Sequence, residues 1–310
     1  MSINNNKIEI IKPLLKWVGG KTQIIDKIMN VFPKEINNYH EIFLGGGSVL
    51  LALLSYQKAN KIKINNNIYV YDINEVLIYV YKNIQTNHIE LYNQLQEIIK
   101  EYNECKEEEI NRKPKDINEA KKNKENYYYW IRDKYNKLNN EEKKSIYGSA
   151  LFIFLNKTCF RGIFRISSNG FNVPYGNYKN PEIINKEHLN KINELIKEVI
   201  FECQDYRKSL ENIKKDDFIY LDPPYIKEND KSFVGYTENG FNIENHEILF
   251  KIIHELTEKN IKIMLSNSDV KIIEDRFKEN KYNIERIICK RTINSKNPES
   301  KTKEVLIKNY

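Results

Sequence analysis

One stretch limits the folds open to this chain more than any other. Tyr39-His40-Glu41-Ile42-Phe43-Leu44 runs into Gly45-Gly46-Gly47-Ser48 and then into an apolar run from Val49 to Tyr56. The first segment reads as a short strand and the last as a helix. Strand, glycine turn and helix in this order make the binding unit of doubly wound α/β folds, where a ligand rests at the helix N-terminus. Glycine lets a ligand approach the backbone closely, and Ser48 is placed to cap the helix. The spacing is not G-x-G-x-x-G, so a dinucleotide is not indicated. A bare turn is the plainer alternative.

A second strand, Ile68-Tyr69-Val70-Tyr71, ends at Asp72, about where such folds place a ribose-binding acid. Asp72 could equally cap the helix opened by Ile73-Asn74-Glu75. Later, Val199 to Cys203 forms a strand ending near Asp205-Tyr206. The buried run Phe218-Ile219-Tyr220-Leu221 then leads into Asp222-Pro223-Pro224-Tyr225. Proline fixes φ and lacks an N–H, and the first proline restricts Asp222 before it. The result is a stiff corner carrying free carbonyls, a carboxylate and an aromatic face. It suits gripping a flat, amine-bearing ring; an ordinary strand-ending turn is the alternative. Ile261 to Leu265 is a further strand, and the tail gives two more, at about 283–289 and 304–309.

At the N-terminal side, Gly19-Gly20-Lys21-Thr22 is a turn feeding a helix that carries Ile24, Ile25, Ile28 and Met29. A phosphate-binding P-loop needs a glycine at position 15, where this chain has Leu15. Lys21 is thereby left to meet a carboxylate, and Trp17 reads as a core aromatic.

Residues 83–158 break the alternation and are mainly helical. Ile89, Tyr92, Leu95 and Ile99 mark one helix face, and residues 104–125 are Lys/Glu-rich and solvated. Tyr127-Tyr128-Tyr129-Trp130 is an aromatic cluster suited to a core. Beyond a buried helix at 146–156, Phe164–Ile166 and Phe171–Val173 flank Ser167-Ser168-Asn169-Gly170, a hairpin signal. The hairpin region carries Arg161, Arg165 and Asn172, side-chain types that read base edges, with Phe160 and Ile163 as wedges. A plain polar surface hairpin is the alternative. Helices are expected at 186–197 and 244–258, and a loop at 226–240. Lys290, Arg291, Lys296, Lys301 and Lys303 form a basic loop that either contacts phosphates or is simply solvated.

The 310 residues are enough for a large core, and a net charge of +7 fits a polyanionic partner. No apolar run approaches the roughly 18 residues of a membrane span. The start lacks a signal-peptide core. Four dispersed cysteines, Cys105, Cys159, Cys203 and Cys289, argue against disulfides or structural zinc and for an intracellular, soluble, cytoplasmic protein.

In this order the motifs resemble the Dam-like family of DNA adenine methyltransferases over nearly the whole chain. Leu15 to Lys21 looks like the family's opening motif, Phe43 to Ser48 its glycine loop, and Asp72-Ile73-Asn74 its ribose acid. Asn156 to Pro181 is similar to its target-recognition hairpin, Asp222 to Tyr225 to its catalytic motif, and Glu304 to Tyr310 to its ending. The resemblance implies an α/β, Rossmann-like three-layer methyltransferase sheet with a reversed C-terminal hairpin. It adds a mainly helical target-recognition lobe carrying a β-hairpin. Residues 1–82 and 183–310 would form the catalytic domain and 83–182 the DNA-binding domain. S-adenosyl-L-methionine is the implied methyl donor, without a metal, and double-stranded DNA the partner, with a flipped adenine as acceptor, a companion restriction endonuclease as a further partner, and GATC as candidate site.

Residue by residue, the resemblance places Asp222, Pro223, Pro224 and Tyr225 at the catalytic corner. Trp17, Lys21, Phe43, Gly45, Gly47, Asp72, Asp205 and Asp222 fall on the donor. Lys16, Phe160, Arg161, Ile163, Arg165, Asn172 and Pro174 face DNA, with Arg165 matching a guanine-reading arginine and Lys16 facing the outer base pair. Family members often have Asn where this chain has Arg161. Cytosine exocyclic amine or RNA adenine as acceptor, and a DNA-binding protein without chemistry, are the alternative readings. Asp222 in place of the Ser frequent in cytosine enzymes favours adenine.

Overall fold

The computed structural model describes residues 8–226, 241–290 and 301–310. Seven strands build the central sheet: β1 (Tyr39–Glu41), β2 (Ile68–Asp72), β3 (Val199–Cys203), β4 (Phe218–Leu221), β5 (Lys262–Ser268), β6 (Asn283–Lys290) and β7 (Lys301–Lys308). Their spatial order is β3-β2-β1-β4-β5-β7-β6. The first five are parallel, whereas β7 runs antiparallel between β5 and β6. The order reverses between β1 and β4, the crevice where open α/β sheets bind ligands.

The sheet separates two apolar layers. Phe218, Tyr220, Val70 and Met264 face one side and pack with Leu50 and Leu53 of the Ser48–Lys58 helix. Ile219, Leu221, Ile263 and Leu265 face the other and pack with Leu249, Phe250 and Ile253 of the Ile243–Glu258 helix. Strands covered on both faces read as continuous apolar runs without alternation, as 218–221 does.

Between β2 and β3 lie the long helix Glu75–Asn103 and a helical lobe. The long helix is interrupted at Asn87, where φ is −140°. Past that break the buried positions are Leu91, Leu95, Ile98 and Tyr102, while Ile89 is 61% exposed. Of the expected stripe Ile89, Tyr92, Leu95 and Ile99, only Leu95 is fully buried and Tyr92 and Ile99 flank it partly buried; the buried line Leu77, Ile84, Leu91 and Ile98 runs through the break at seven-residue steps. Tyr127, Tyr128 and Tyr135 are core residues of the lobe, and the helix Ile146–Thr158 is buried nearly all round.

The hairpin pairs Ile166 with Phe171 and Ser167 with Gly170, so its loop is Ser168-Asn169 and Gly170 opens the return strand at φ +87°. Lys301 and Lys303 fall within β7 and Lys290 ends β6, so these three are strand residues rather than loop residues. Arg291, Lys296 and most of the expected 226–240 loop lie outside the described residues.

Candidate active site

The glycine loop leaves β1 at the switch point. Leu44 N–H still donates to the Tyr71 carbonyl of β2, so the loop starts in register with the sheet. Gly45 and Gly47 have φ of +51° and +71°, a left-handed region that side chains resist. Tyr81 OH anchors the loop by donating to the Gly46 carbonyl at 2.7 Å. Gly47 occupies the N-cap position of the following helix, and Ser48 lies inside it. The expected cap is thus absent: Ser48 Oγ instead accepts the Lys21 N–H at 3.0 Å, joining the N-terminal turn to the loop.

Asp72 holds the other flank. Its Oδ2 accepts Gly45 N–H at 2.9 Å and its Oδ1 accepts Asn74 N–H at 2.8 Å. Burial pushes this carboxyl up, and the two backbone donors oppose the shift. Trp17 stacks on Phe164 at 5.5 Å and lies against the glycine loop so closely that a Cβ on Gly45 would meet its ring at 2.9 Å. Trp17 is half-buried cover over the glycine loop, not simply core. Phe43 stacks on Tyr206 at 5.9 Å and meets Phe241 edge-on at 5.6 Å. Asp205 faces this cluster but is engaged: it caps a short helix and takes two bonds, 2.7 and 2.9 Å, from the Arg207 guanidinium, which holds its carboxyl low.

The Asp222 corner leaves β4 beside the glycine loop. Asp222 is 18% exposed and Lys21 is 3% exposed; Lys21 Nζ sits 2.6 Å from Asp222 Oδ2 and also donates to the Gly19 carbonyl. Asp222 Oδ1 is buried with no hydrogen-bond partner among the described residues. Burial pushes the Asp222 carboxyl up and Lys21 is the main opposing influence. Tyr225 OH donates to Glu304 Oε2 of β7 at 2.9 Å, and Lys21 Nζ lies 4.9 Å from the Tyr225 ring centre. Ile226 N–H donates to Asn267 Oδ1 and its carbonyl accepts from Ser268 Oγ, so β5 fixes the far side of the corner. Beneath the site, Glu41 is 2% exposed, bonded by Tyr39 OH at 2.8 Å, and pushed up to about 8 chiefly by burial.

A cleft of about 550 Å³ joins these groups to the lobe; Lys16, Trp17, Lys21, Gly46, Arg161 and Glu304 all line it. Phe160 is 45% exposed on a short turn (Phe160–Gly162), with Ile163 just after. Arg161 has φ +58° and stands over the Phe160 ring, at 5.1 Å. Arg165 Nε donates to Asn172 Oδ1 at 2.6 Å, and Pro174 is exposed beside them. The sequence-derived residues therefore fall into two groups, one at the switch point and one on the lobe, and of them Lys16, Trp17, Lys21 and Arg161 line the cleft. Glu41 and Glu304 were not singled out; only their places beside the glycine loop and in the terminal motif hint at them. A larger cleft of about 720 Å³, lined by His40, Tyr69, Tyr71 and Asp217, touches neither group. Among the described residues no cluster of His, Cys, Asp or Glu is arranged to hold a metal, and no helix is long and apolar enough to cross a membrane.

The sequence matches the family of D12 class N6 adenine-specific DNA methyltransferases over residues 17–293. The chain belongs to that family. It is an adenine-specific DNA methyltransferase, and DNA is its substrate. The methyltransferase is 37% identical to the type II methyltransferase M.MjaIII of Methanocaldococcus jannaschii, covering 97% of this chain and 99% of that one. It is 31% identical to the DNA adenine methylase of Haemophilus influenzae, over 94% and 91% of the two chains. Identity to the DNA adenine methylase of Escherichia coli K12 is 27%, over 96% and 95%.

Proposed function

We propose that this methyltransferase moves a methyl group from S-adenosylmethionine to the N6 amine of an adenine flipped out of duplex DNA, with Asp222 to Tyr225 as the amine clamp. The observation that carries this is the divided Asp222 carboxylate: one oxygen bound to Lys21, the other buried and without a partner among the described residues. A buried acceptor without a donor is costly, of order 1–3 kcal/mol, unless a ligand donor satisfies it. The donor supplies an electrophilic methyl on a sulfonium centre. Gly45, Gly47, Asp72 and Phe43 are the residues that would hold it, with Trp17 as cover; Asp205 joins them at the aromatic end.

An exocyclic adenine amine is a weak nucleophile because its lone pair is delocalised into the ring. Inside the duplex it is also out of reach, so the base is flipped. Asp222 Oδ1 and the Pro223 carbonyl accept its two N–H bonds, which draws electron density onto nitrogen and fixes its direction. Pro223 and Pro224 contribute no competing N–H. Tyr225 stacks on the ring. As the N–C bond forms and the S–C bond breaks, the amine gives up a proton, and Asp222 is the adjacent acceptor. Rate enhancement comes from positioning and electrostatics.

Residues 1–82 and 183–310 act as the catalytic domain and 83–182 as the DNA-binding domain in this reading. Lys16, Phe160, Arg161, Ile163, Arg165, Asn172 and Pro174 contact DNA. GATC is the proposed recognition sequence, and Arg165, its guanidinium held by Asn172, the guanine reader. Relatives named type II methyltransferases support a companion endonuclease. The test is transfer of labelled methyl to duplex DNA by wild type and by Asp222→Ala. Near-wild-type transfer by the variant overturns the clamp. Digestion of DNA from expressing cells with nucleases sensitive to GATC methylation tests the sequence.

A further inference from the structure

Asn156 lies near the end of the Ile146–Thr158 helix and is 2% exposed. Its Oδ1 accepts the Lys16 N–H at 2.9 Å, and its Nδ2 donates to the Lys16 carbonyl at 2.8 Å. Nδ2 also donates to the Gly162 carbonyl at 3.3 Å. An amide that both gives to and takes from one residue's backbone fixes that residue's position and peptide planes, as a strand neighbour would.

The two segments it joins have different duties. The residue after Lys16 is Trp17, which covers the glycine loop. Gly162 closes the turn carrying Phe160 and Arg161. A second connection runs parallel: Lys16 Nζ lies 4.1 Å over the Tyr178 ring, and Tyr178 OH accepts the Arg161 N–H at 2.7 Å. Displacing the Trp17 loop therefore disturbs the recognition turn, and the reverse.

We propose that Asn156 is a positioning residue that couples the two ligand sites, so that seating the methyl donor under Trp17 and seating duplex DNA on the Phe160–Arg165 segment strengthen each other. This rests on the preceding assignment of donor and DNA to those two segments. Both ligands order one shared piece of backbone, and the second to arrive finds it already ordered. Such coupling is reciprocal and commonly about 5- to 150-fold.

The experiment measures the affinity of an unreactive donor analogue, one with an amine in place of the sulfonium, with and without a duplex oligonucleotide. It compares wild type, Asn156→Leu and Asn156→Ser. The wild type is expected to bind the analogue roughly 5- to 150-fold more tightly with DNA present. Asn156→Leu keeps the volume without the bonds and is expected to bring that ratio close to one; Asn156→Ser, which keeps one small donor and acceptor, falls between. Mere destabilisation lowers the melting temperature without changing the ratio in folded protein. A ratio in Asn156→Leu equal to wild type overturns the proposal, as does a wild-type ratio of one. If the Leu variant does not fold, a wild-type ratio in Asn156→Ser overturns it. Failure of the wild type to bind the analogue or the duplex at all sinks the functional assignment itself, a result distinct from both ligands binding without coupling.

Discussion

Lys21 Nζ lies 2.6 Å from Asp222 Oδ2, joining a turn near the start of the chain to the corner after β4. The lysine is 3% exposed, so little water screens the pair. Asp222 can take up the amine's proton only while ionised, and the ionised form is also the stronger hydrogen-bond acceptor. Burial works against ionisation and prevails, and Lys21 is the main influence that limits the upward shift.

Lys21→Met removes that support. With burial unopposed, the Asp222 carboxyl moves further up, and the ionised fraction at any given pH falls. The acid limb of kcat/KM is expected to shift to higher pH, and turnover at neutral pH to fall by at least about tenfold, or ~1.4 kcal/mol of barrier. A pH–rate profile superimposable on wild type contradicts this.

Tyr225 separates two effects. Tyr225→Phe keeps the ring and loses the bond to Glu304, so transfer is expected to fall by less than about tenfold, given ~1 kcal/mol per hydrogen bond. Tyr225→Ala removes the stacking face, worth about 1–3 kcal/mol per base, and is expected to lose roughly ten- to a hundredfold. Single-turnover rates with labelled donor check the order; equal losses in both variants would mean that the ring does not stack.

Arg161 occupies the left-handed region at φ +58°, where Asn is among the best-tolerated non-glycine residues and Arg is not. Arg161→Asn is expected to raise stability by about 0.5–1 kcal/mol, seen as a melting temperature a few degrees higher. A lower melting temperature contradicts it.

Asp217 governs acid stability. It is 1% exposed and accepts from Asn38 Nδ2, the Lys214 N–H and His40 Nε2. Burial alone would push this carboxyl up, but those donors prevail and hold it at about 2. A depressed folded pKa adds stability that is complete above the unfolded value, about 3.9, and is lost as pH falls toward 2. The amount is on the order of 2 kcal/mol. Asp217→Asn is expected to unfold more easily at pH 7 and to show a flatter stability profile between pH 4 and 2 in denaturant titrations. An unchanged slope in that window argues against the assignment.

Strands β2 and β4 were legible because they are short, largely apolar runs ending at Asp72 and at the proline corner, both local signals. The Lys21 carboxylate partner was anticipated as a class, though Asp222 as that partner follows only from folding. Ser48 and Ile89 show where local reading fails. Ser48 has capping chemistry, but Gly47 in the left-handed region takes the cap position and frees the hydroxyl for Lys21. Ile89 has helical spacing to Tyr92, but the buried line runs through Leu91, Leu95, Ile98 and Tyr102 and leaves Ile89 on the solvent side. Glu304 and Asn156 escaped notice because their partners, Tyr225 and Lys16, are distant in sequence and no periodicity links them.

Strand β7 threads between β5 and β6 and delivers Glu304 to Tyr225, a contact spanning 79 residues. Lys21 reaches Asp222 across a still longer stretch. The centre is therefore a non-local object, owned by no contiguous fragment. On a ribosome, a nascent chain could display its glycine loop, its recognition hairpin and even its proline corner while remaining inert. The full set of contacts around the corner would be complete only once β7 pairs, and long-range pairing is among the slow steps of folding.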